Sequence, residues 1–131
     1  METPATKKIL MVDDDESLTH VVKMRLESAG YQVHTEASGK NAIAYAAEHR
    51  PELVILDINL PDSNGYQIAR ELRKVYYPWT LPILMLTIKD KPVDQLRGFA
   101  HGADAYLTKP FDSEELLQTV TLLTGQAYKT A

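Results

Sequence analysis

Short apolar runs alternate along this chain with longer segments in which apolar residues recur at helical spacing. Four runs are unbroken and end in polar or turn-forming residues: 9–12, 53–56, 83–86 and 105–107. Unbroken runs of this length are typical of parallel strands that are covered on both faces. Residues 31–36 instead alternate between apolar and polar side chains, which predicts a half-exposed edge strand. The pattern therefore predicts five strands.

Five helices are predicted after these strands, at about 16–29, 39–49, 65–74, 92–101 and 113–124. Ser38 and Asp112 are expected to cap the second and fifth helices, because their side chains can accept hydrogen bonds from the first turn. Gly30 and Gly125 are expected to end the first and fifth helices.

Two expectations concern local packing. On the first helix, the residues at 18, 21, 22, 25 and 26 approximate one buried face. Residues 76–82 contain two prolines and are expected to form a loop between the third helix and the fourth strand.

Strand and helix alternate five times, with short connections. This alternation is typical of an α/β fold, here a right-handed, doubly wound (βα)5 domain of the flavodoxin-like type. Its common five-stranded parallel sheet has the strand order 2-1-3-4-5. We expect one domain at residues 8–124, after a disordered lead at 1–7 and before a tail or the start of a linker at 125–131.

The central strands end in charged or hydroxyl side chains. Asp13 and Asp14 follow the first strand, and Asp57 follows the third. In the predicted order these two strands are neighbours, at the switch point where ligand crevices form. Thr87 ends the fourth strand, and Lys109 follows the fifth. The fold is therefore expected to collect these side chains at one edge of the sheet.

Three carboxylates held together raise a pKa or recruit a cation, because like charges about 4 Å apart repel by about 4 kcal/mol at an effective dielectric of about 20. Oxygen ligands without His or Cys suit Mg²⁺. A hydroxyl, an ammonium and Mg²⁺ all stabilise a phosphoryl group, and an aspartate among them can form an acyl phosphate. Each residue alone has an ordinary explanation, as a helix cap, a turn residue or a solvated lysine. Their occurrence together at the ends of four strands favours Asp57 as a phosphoryl acceptor.

Composition narrows the functional classes. The 131 residues carry a net charge of −4 and their basic residues are scattered, so we expect no direct nucleic acid binding. The longest unbroken apolar run, 42–47, is too short for a membrane span or a signal peptide. The absence of cysteine excludes disulfides and suits a reducing, cytoplasmic location. The four histidines show no metal-ligand spacing and are interpreted as surface or interface residues.

Four motifs resemble those of the receiver domains of two-component response regulators. They are VDDD at 12–15, LDINLP at 56–61 followed by Gly65, LT at 86–87 and GADAYLTKPF at 102–111. In this order and spacing they are specific, and the resemblance covers roughly residues 8–123. It implies a cytoplasmic signal-transduction protein of a phosphorelay.

The resemblance implies a role for each matching position. Asp57 would accept a phosphoryl group from a phosphohistidine on a histidine kinase or a histidine phosphotransfer protein. Asp14, the Asp57 carboxylate and the Asn59 main-chain carbonyl would bind Mg²⁺ directly. Asp13 would act on the metal largely through water, and Lys109 would pair with the phosphoryl group.

The resemblance also implies a conformational switch. The Thr87 hydroxyl would move to the phosphoryl group and Tyr106 would turn inward, altering the face formed by the predicted fourth helix, fifth strand and fifth helix. A downstream effector domain or protein would read this face. The Lys109–Pro110 bond would be cis. Such a domain is no enzyme towards other substrates, because it catalyses only its own phosphorylation and autodephosphorylation.

Three positions near the site bear on its reactivity. Ile88 follows Thr87 where the family usually has a small residue, and its bulk would slow small donors or hinder the kinase. Asn59 and Lys89 flank the phosphoryl site and would set the lifetime of the acyl phosphate.

The assembly expectations are coarser. Ala105 and Glu114 stand where the winged-helix subfamily has an aspartate and an arginine in its dimer contacts. A phosphorylation-dependent dimer is therefore still possible, but we do not expect it to form through that ion-pair network. Because Met1 lies close before the first strand, we expect the domain to open its chain rather than to end a hybrid kinase.

Three alternative functions are weighed. A phosphorylation-independent, receiver-like binding module is favoured by Ile88 alone. A magnesium-dependent phosphatase with an aspartate nucleophile usually has a second carboxylate two residues on, where this chain has Asn59. A flavin-binding protein fits the fold, but the acids would repel the flavin phosphate and no Ser/Thr/Gly-rich loop follows the first strand.

Overall fold

The computed structural model describes residues 6–60, 64–76, 80–88 and 103–125 of the chain. Within these ranges it contains one five-stranded sheet and four helices. Several predictions fall outside the described residues: the fourth helix at about 92–101, most of the lead at 1–7, the tail after 125, and the side chains of Lys89 and His101.

The sheet has the predicted topology. Its strands are β1 (Lys8–Val12), β2 (Gln32–Glu36), β3 (Leu53–Asp57), β4 (Ile83–Thr87) and β5 (Ala105–Thr108). All neighbours pair in parallel, in the order β2-β1-β3-β4-β5, so the predicted order is confirmed. β3 and β4 are buried along their whole length, whereas β2 lies at an edge and is partly exposed. Because parallel strands end at one edge of the sheet, β1, β3 and β4 deliver their last residues side by side.

The helices cover both faces of the sheet. They are α1 (Glu16–Ser28), α2 (Gly39–His49), α3 (Gly65–Tyr76) and α4 (Ser113–Thr124), where α4 is the helix predicted as the fifth. The predicted caps are confirmed, since the Ser38 and Asp112 side chains accept hydrogen bonds from first-turn amides. α2 and α3 bury residues against one face: Ala42, Ala46, Ile68, Ala69 and Leu72. α1 and α4 bury residues against the other: Val22, Leu26, Leu116 and Val120.

Two local expectations were wrong. Val21 and Arg25 are exposed, and Thr19 lies on the buried face of α1 with Val22 and Leu26. A threonine is tolerated there because its hydroxyl donates a hydrogen bond to the Glu16 carbonyl at 3.1 Å. Tyr76 does not belong to a loop but ends α3, where its buried hydroxyl donates to the Pro51 carbonyl at 2.7 Å. That bond satisfies the polar end of a side chain that otherwise packs in the core.

Gly65 is required where α3 begins beside the end of β3. A Cβ at this position would lie 2.7 Å from the Ile58 Cα and 2.9 Å from the Asp57 carbonyl oxygen. The Gly65 amide donates to the Ile58 carbonyl at 2.7 Å, so helix and strand end are joined by backbone atoms. The position of Asp57 therefore depends on a residue without a side chain at the start of α3.

We expect Gly65→Ala to lower the free energy of unfolding by about 1–3 kcal/mol, because an added methyl in a packed site forces the backbone apart. Urea denaturation measures the loss, and amide NMR should show shifts at Asp57, Ile58 and Asn59. Gly125→Ala is the control for the amide shifts: its φ of 75° also costs stability, but nothing lies near the added Cβ, so the amides at 57–59 should not move. Unchanged stability and unchanged amides at 57–59 in Gly65→Ala would contradict this interpretation.

Candidate functional site

Three carboxylates meet at the carboxyl edge of the sheet. Asp57 is the last residue of β3 and is 6% exposed; Asp13 follows β1 and is 3% exposed. Asp14 is exposed at the rim. One oxygen from each of the three lies within 4.8 Å of the others. The predicted acidic cluster is therefore present in the folded chain.

Backbone contacts hold the two buried acids in place. The Asp13 amide donates to the Glu36 carbonyl of β2 at 3.1 Å, and Asp13 Oδ1 accepts from the Asp15 amide at 3.0 Å. Asp57 Oδ1 accepts from the Asn59 amide at 3.2 Å. Each carboxylate thus turns back onto the loop that follows its own strand, which fixes its direction without neutralising its charge.

Lys109 brings a positive charge into the cluster from the loop after β5. Its Nζ lies 2.7 Å from Asp13 Oδ2 and 3.6 Å from Asp57 Oδ1, with the side chain 18% exposed. The Lys109 amide donates to the Thr87 carbonyl at 2.6 Å, which ties this loop to the end of β4. The Lys109–Pro110 bond is cis, as the family resemblance implied and against the general preference for trans.

The two predicted switch residues lie on adjacent strands. Thr87 ends β4 and is 2% exposed. Tyr106 lies in β5, opposite Met85 in the register, and its half-buried ring packs against the core under α2 and α3. Thr87 adjoins the acidic cluster, since the Ile58 amide, next to Asp57, donates to the Leu86 carbonyl at 3.1 Å.

Burial and repulsion raise the pKa of Asp57 from its ordinary value of 3.8 to about 6. Desolvation is the largest cause, followed by the charge of Asp13, and Asp14 adds a smaller amount. The Lys109 ammonium and the Asn59 amide act in the opposite direction and lower this pKa. The predicted raised pKa is therefore found at the residue proposed to react. Such shifts are common at functional sites.

The donor set suits a hard divalent cation. One carboxylate oxygen from each of Asp13, Asp14 and Asp57 lies within 4.8 Å of the others, and such all-oxygen sets are typical of Mg²⁺. Asn59, whose main-chain carbonyl was the fourth predicted ligand, is exposed beside them. An added cation would relieve the repulsion that raises the Asp57 pKa.

The loop after β3 contains a contact that sequence reasoning missed. Asn59 forms an isolated antiparallel bridge with Asn64, which closes this loop on itself. The Asn64 side chain also accepts a hydrogen bond from the Gln67 amide at 2.9 Å, so it caps α3. An asparagine directly before the helix was an available signal for the cap. The bridge had no signal in the sequence.

Ile88 directly follows Thr87, the last residue of β4, and faces solvent. Its side chain is 64% exposed, although Thr87 before it is almost completely buried. A large apolar side chain that stands in water beside a polar site can contact whatever approaches the site.

We expect Asp57→Asn to raise the free energy of unfolding of the metal-free protein by about 1–3 kcal/mol at pH 8, since each pKa unit corresponds to about 1.4 kcal/mol. The Asp57 pKa is higher in the folded than in the unfolded chain. The carboxyl therefore costs no stability below about pH 4 and costs progressively more as the pH rises through 6.

Urea denaturation in EDTA at pH 4 and pH 8 measures the difference between the two proteins. Glu114→Gln, which removes an exposed carboxylate on α4, is the matched control. A gain in Asp57→Asn that is the same at both pH values, or that Glu114→Gln reproduces, would contradict the assignment of a raised pKa to Asp57.

The chain matches the response regulator receiver domain family over residues 9–121. Among solved structures, chemotaxis protein CheY4 of Vibrio cholerae is 38% identical with a TM-score of 0.84, covering 91% of this chain and 99% of that one. A CheY-like receiver domain protein from Methanospirillum hungatei JF-1 is 30% identical with a TM-score of 0.85, covering 93% and 97%.

A third structure is that of the receiver domain of a sensor histidine kinase from Pseudomonas aeruginosa PAO1. It is 31% identical with a TM-score of 0.83, covers 92% of this chain and 99% of that one, and holds a magnesium ion in its active site cleft. The family match spans nearly the whole described fold. This chain belongs to the receiver domain family of two-component response regulators.

Proposed function

We propose that this chain is a signalling switch that accepts a phosphoryl group on Asp57. The observation that carries the proposal is the arrangement around that carboxylate. It is buried at the end of β3, with two further carboxylates within 4.8 Å and the Lys109 ammonium at 3.6 Å. A nucleophile surrounded by groups that bind a cation and a phosphate oxygen suits phosphoryl transfer.

Asp13, Asp14 and Asp57, with the Asn59 carbonyl, would hold Mg²⁺. The magnesium-bound receiver from Pseudomonas aeruginosa supports this choice of metal. When bound, the ion would supply positive charge to the oxygens of the phosphoryl group during transfer. Its presence would also favour the ionised form of Asp57, which is the form that reacts.

The donor is a phosphohistidine on a histidine kinase or a histidine phosphotransfer protein. One Asp57 oxygen attacks phosphorus, a P–O bond forms, and the P–N bond to the donor imidazole breaks. The imidazole leaves with the bonding electron pair and takes up a proton. The product is an acyl phosphate on Asp57, and its hydrolysis by water returns the carboxylate and inorganic phosphate.

Lys109 would also respond to the phosphoryl group once that group has been transferred to Asp57. Before it, the ammonium lies closer to Asp13 than to Asp57, at 2.7 Å against 3.6 Å. A dianionic phosphoryl group on Asp57 would compete with Asp13 for this ammonium, because charge-assisted hydrogen bonds to phosphate oxygens are strong. Since the Lys109 amide is bonded to the Thr87 carbonyl, a shift of the lysine loop is transmitted to the end of β4.

Thr87 and Tyr106 would convert this chemistry into a change of surface. The Thr87 hydroxyl would move to the phosphoryl group, and the ring of Tyr106 would fill the space that it leaves. Tyr106 is half-buried on β5, so an inward turn would alter the face of β5 and α4 that a downstream effector domain or protein contacts. The phosphoryl group would make these contacts only in the switched conformation. Phosphorylation would therefore shift the population of molecules towards that conformation.

A phosphorylation-independent binding module is the second candidate. The observation that favours it is Ile88, which stands 64% exposed beside Thr87 where it could block a donor. Among the described helices none is long and apolar enough to cross a membrane, which bears equally on both candidates.

Beryllofluoride, a small phosphoryl mimic, separates the two candidates. We expect saturable binding that requires Mg²⁺, with amide NMR shifts at Thr87 and Tyr106. Asp57→Asn should abolish binding, and Lys109→Gln should weaken it by about 100-fold, since it removes a cation aimed at the mimic. Isothermal calorimetry measures both affinities.

Lys23→Gln on α1 is the matched control for Lys109→Gln and should leave the affinity unchanged. If the folded protein ignores beryllofluoride at saturating Mg²⁺, the phosphoryl switch is wrong and the binding module replaces it.

A further inference from the structure

Three aromatic rings form a column beside the edge strand β2. The rings of His34 and Tyr45 are parallel, 1° apart in angle and 3.8 Å apart between centroids. His49 lies 4.2 Å from the same Tyr45 ring at an angle of 15°. Two rings cannot share one face of a phenol at these distances, so Tyr45 lies between two imidazoles. The interpretation of His34 and His49 as surface or interface residues did not include this column, because the column joins residues of a strand and a helix.

A cavity of about 340 Å³ opens beside this column. Its lining residues are Lys8, Ile9, Gln32, Val33, His34, Tyr45, His49 and Pro51. Lys8 and Gln32 are the first residues of β1 and β2, so the cavity lies towards the amino ends of the strands. The acidic cluster lies at the carboxyl ends. The cavity is therefore a separate place in the fold, and its volume falls within the range of small-molecule sites.

The lining is basic or neutral, in a chain whose net charge is −4. Lys8 contributes an ammonium, and His34 and His49 contribute imidazoles. Burial, and then the charge of Glu36, raise the pKa of Tyr45, so the phenol adds no negative charge at neutral pH.

Two carboxylates lie just outside the lining, and each is engaged by a hydrogen bond. Glu36 is 2.6 Å from the His34 ring nitrogen, and Glu52 accepts from the Lys8 amide at 2.5 Å. Neither carboxylate forms part of the cavity wall. A ligand that enters the cavity therefore meets aromatic rings, apolar side chains and an ammonium, and no acid among its lining residues.

We propose that this cavity binds a small, planar aromatic anion. The ring of the ligand would stack on the column of His34, Tyr45 and His49, against the apolar walls formed by Val33 and Pro51. Its negative group would lie towards the Lys8 ammonium. Planarity is favoured because the column offers flat surfaces, and negative charge is favoured because the lining contains the Lys8 ammonium and no carboxylate. The site is independent of the chemistry at Asp57 and would give the domain a second chemical input.

Indole-3-carboxylate is a suitable probe for an amide NMR titration of the full chain. We expect saturable shifts at Gln32, Val33 and His34, with a Kd on the order of 1 mM for a ligand of this size. Indole-3-carboxamide keeps the ring without the charge, and cyclohexanecarboxylate keeps the charge without the flat ring. Each should bind about 2- to 10-fold more weakly, since it lacks one of the two interactions.

Variants at exposed positions test the same contacts without threatening the fold. His49→Ala and Lys8→Gln should each weaken indole-3-carboxylate binding by about 2- to 10-fold. His20→Ala and Lys23→Gln on α1, which packs on the other face of the sheet, are the matched controls and should bind as the parent protein does. Urea midpoints verify that all four variants are folded.

Three results would each overturn the proposal. The first is the absence of saturable shifts at Gln32, Val33 and His34 up to the solubility limit of the probe. The second is equal affinity for the carboxylate and the carboxamide, which removes the role of charge. The third is unchanged affinity in the folded His49→Ala variant, which removes the role of the column.

Discussion

Repulsion among carboxylates that the fold holds together is the constraint on which the site depends. Asp13 and Asp57 are both buried, and desolvation with the charge of Asp13 raises the pKa of Asp57 to about 6. Lys109 relieves part of this cost from 2.7 Å and 3.6 Å. A metal cation would relieve more, and a phosphoryl group would then gain from both cations. The carboxylate charges thus disfavour the metal-free site and favour a bound cation, and the cations in turn favour a phosphoryl group on Asp57.

The fold supplies the rigidity that this repulsion requires. The acids extend from β1 and β3, which are neighbours in the interior of the sheet and are covered by helices on both faces. Gly65 lets α3 begin in backbone contact with the end of β3, and Asn64 closes the loop between them. Parallel strands place Thr87 beside this edge, and a backbone hydrogen bond ties Lys109 to it. The pairing of the strands, the start of α3 at Gly65 and the loop closed by Asn64 therefore hold the charged groups together. Attraction between the side chains alone would not do so.

The sequence predicted the fold, and it predicted which side chains meet at the carboxyl edge of the sheet, because the relevant signals are local. Unbroken apolar runs indicated the strands. The strand order then placed the residues at the strand ends next to one another. Side-chain packing was less predictable. Thr19 lies on the buried face of α1 because it is three and seven residues before Val22 and Leu26, and its hydroxyl is satisfied by the Glu16 carbonyl. Tyr76 ends α3, and its hydroxyl donates to the Pro51 carbonyl. The ring column joins residues of β2 and α2, and such contacts between elements have no local pattern.

Covalent trapping at Asp57 tests the central claim most directly. The chain is incubated with Mg²⁺ and phosphoramidate, a small phosphorus–nitrogen donor, and any acyl phosphate is reduced with borohydride before peptide mass spectrometry. We expect homoserine at position 57 alone, only when both Mg²⁺ and donor are present, and none when Mg²⁺ is omitted. Unmodified Asp57 in both the parent chain and an Ile88→Ala variant, which removes the bulk beside Thr87, or reduction at another carboxylate, would contradict the assignment of Asp57 as the phosphoryl acceptor.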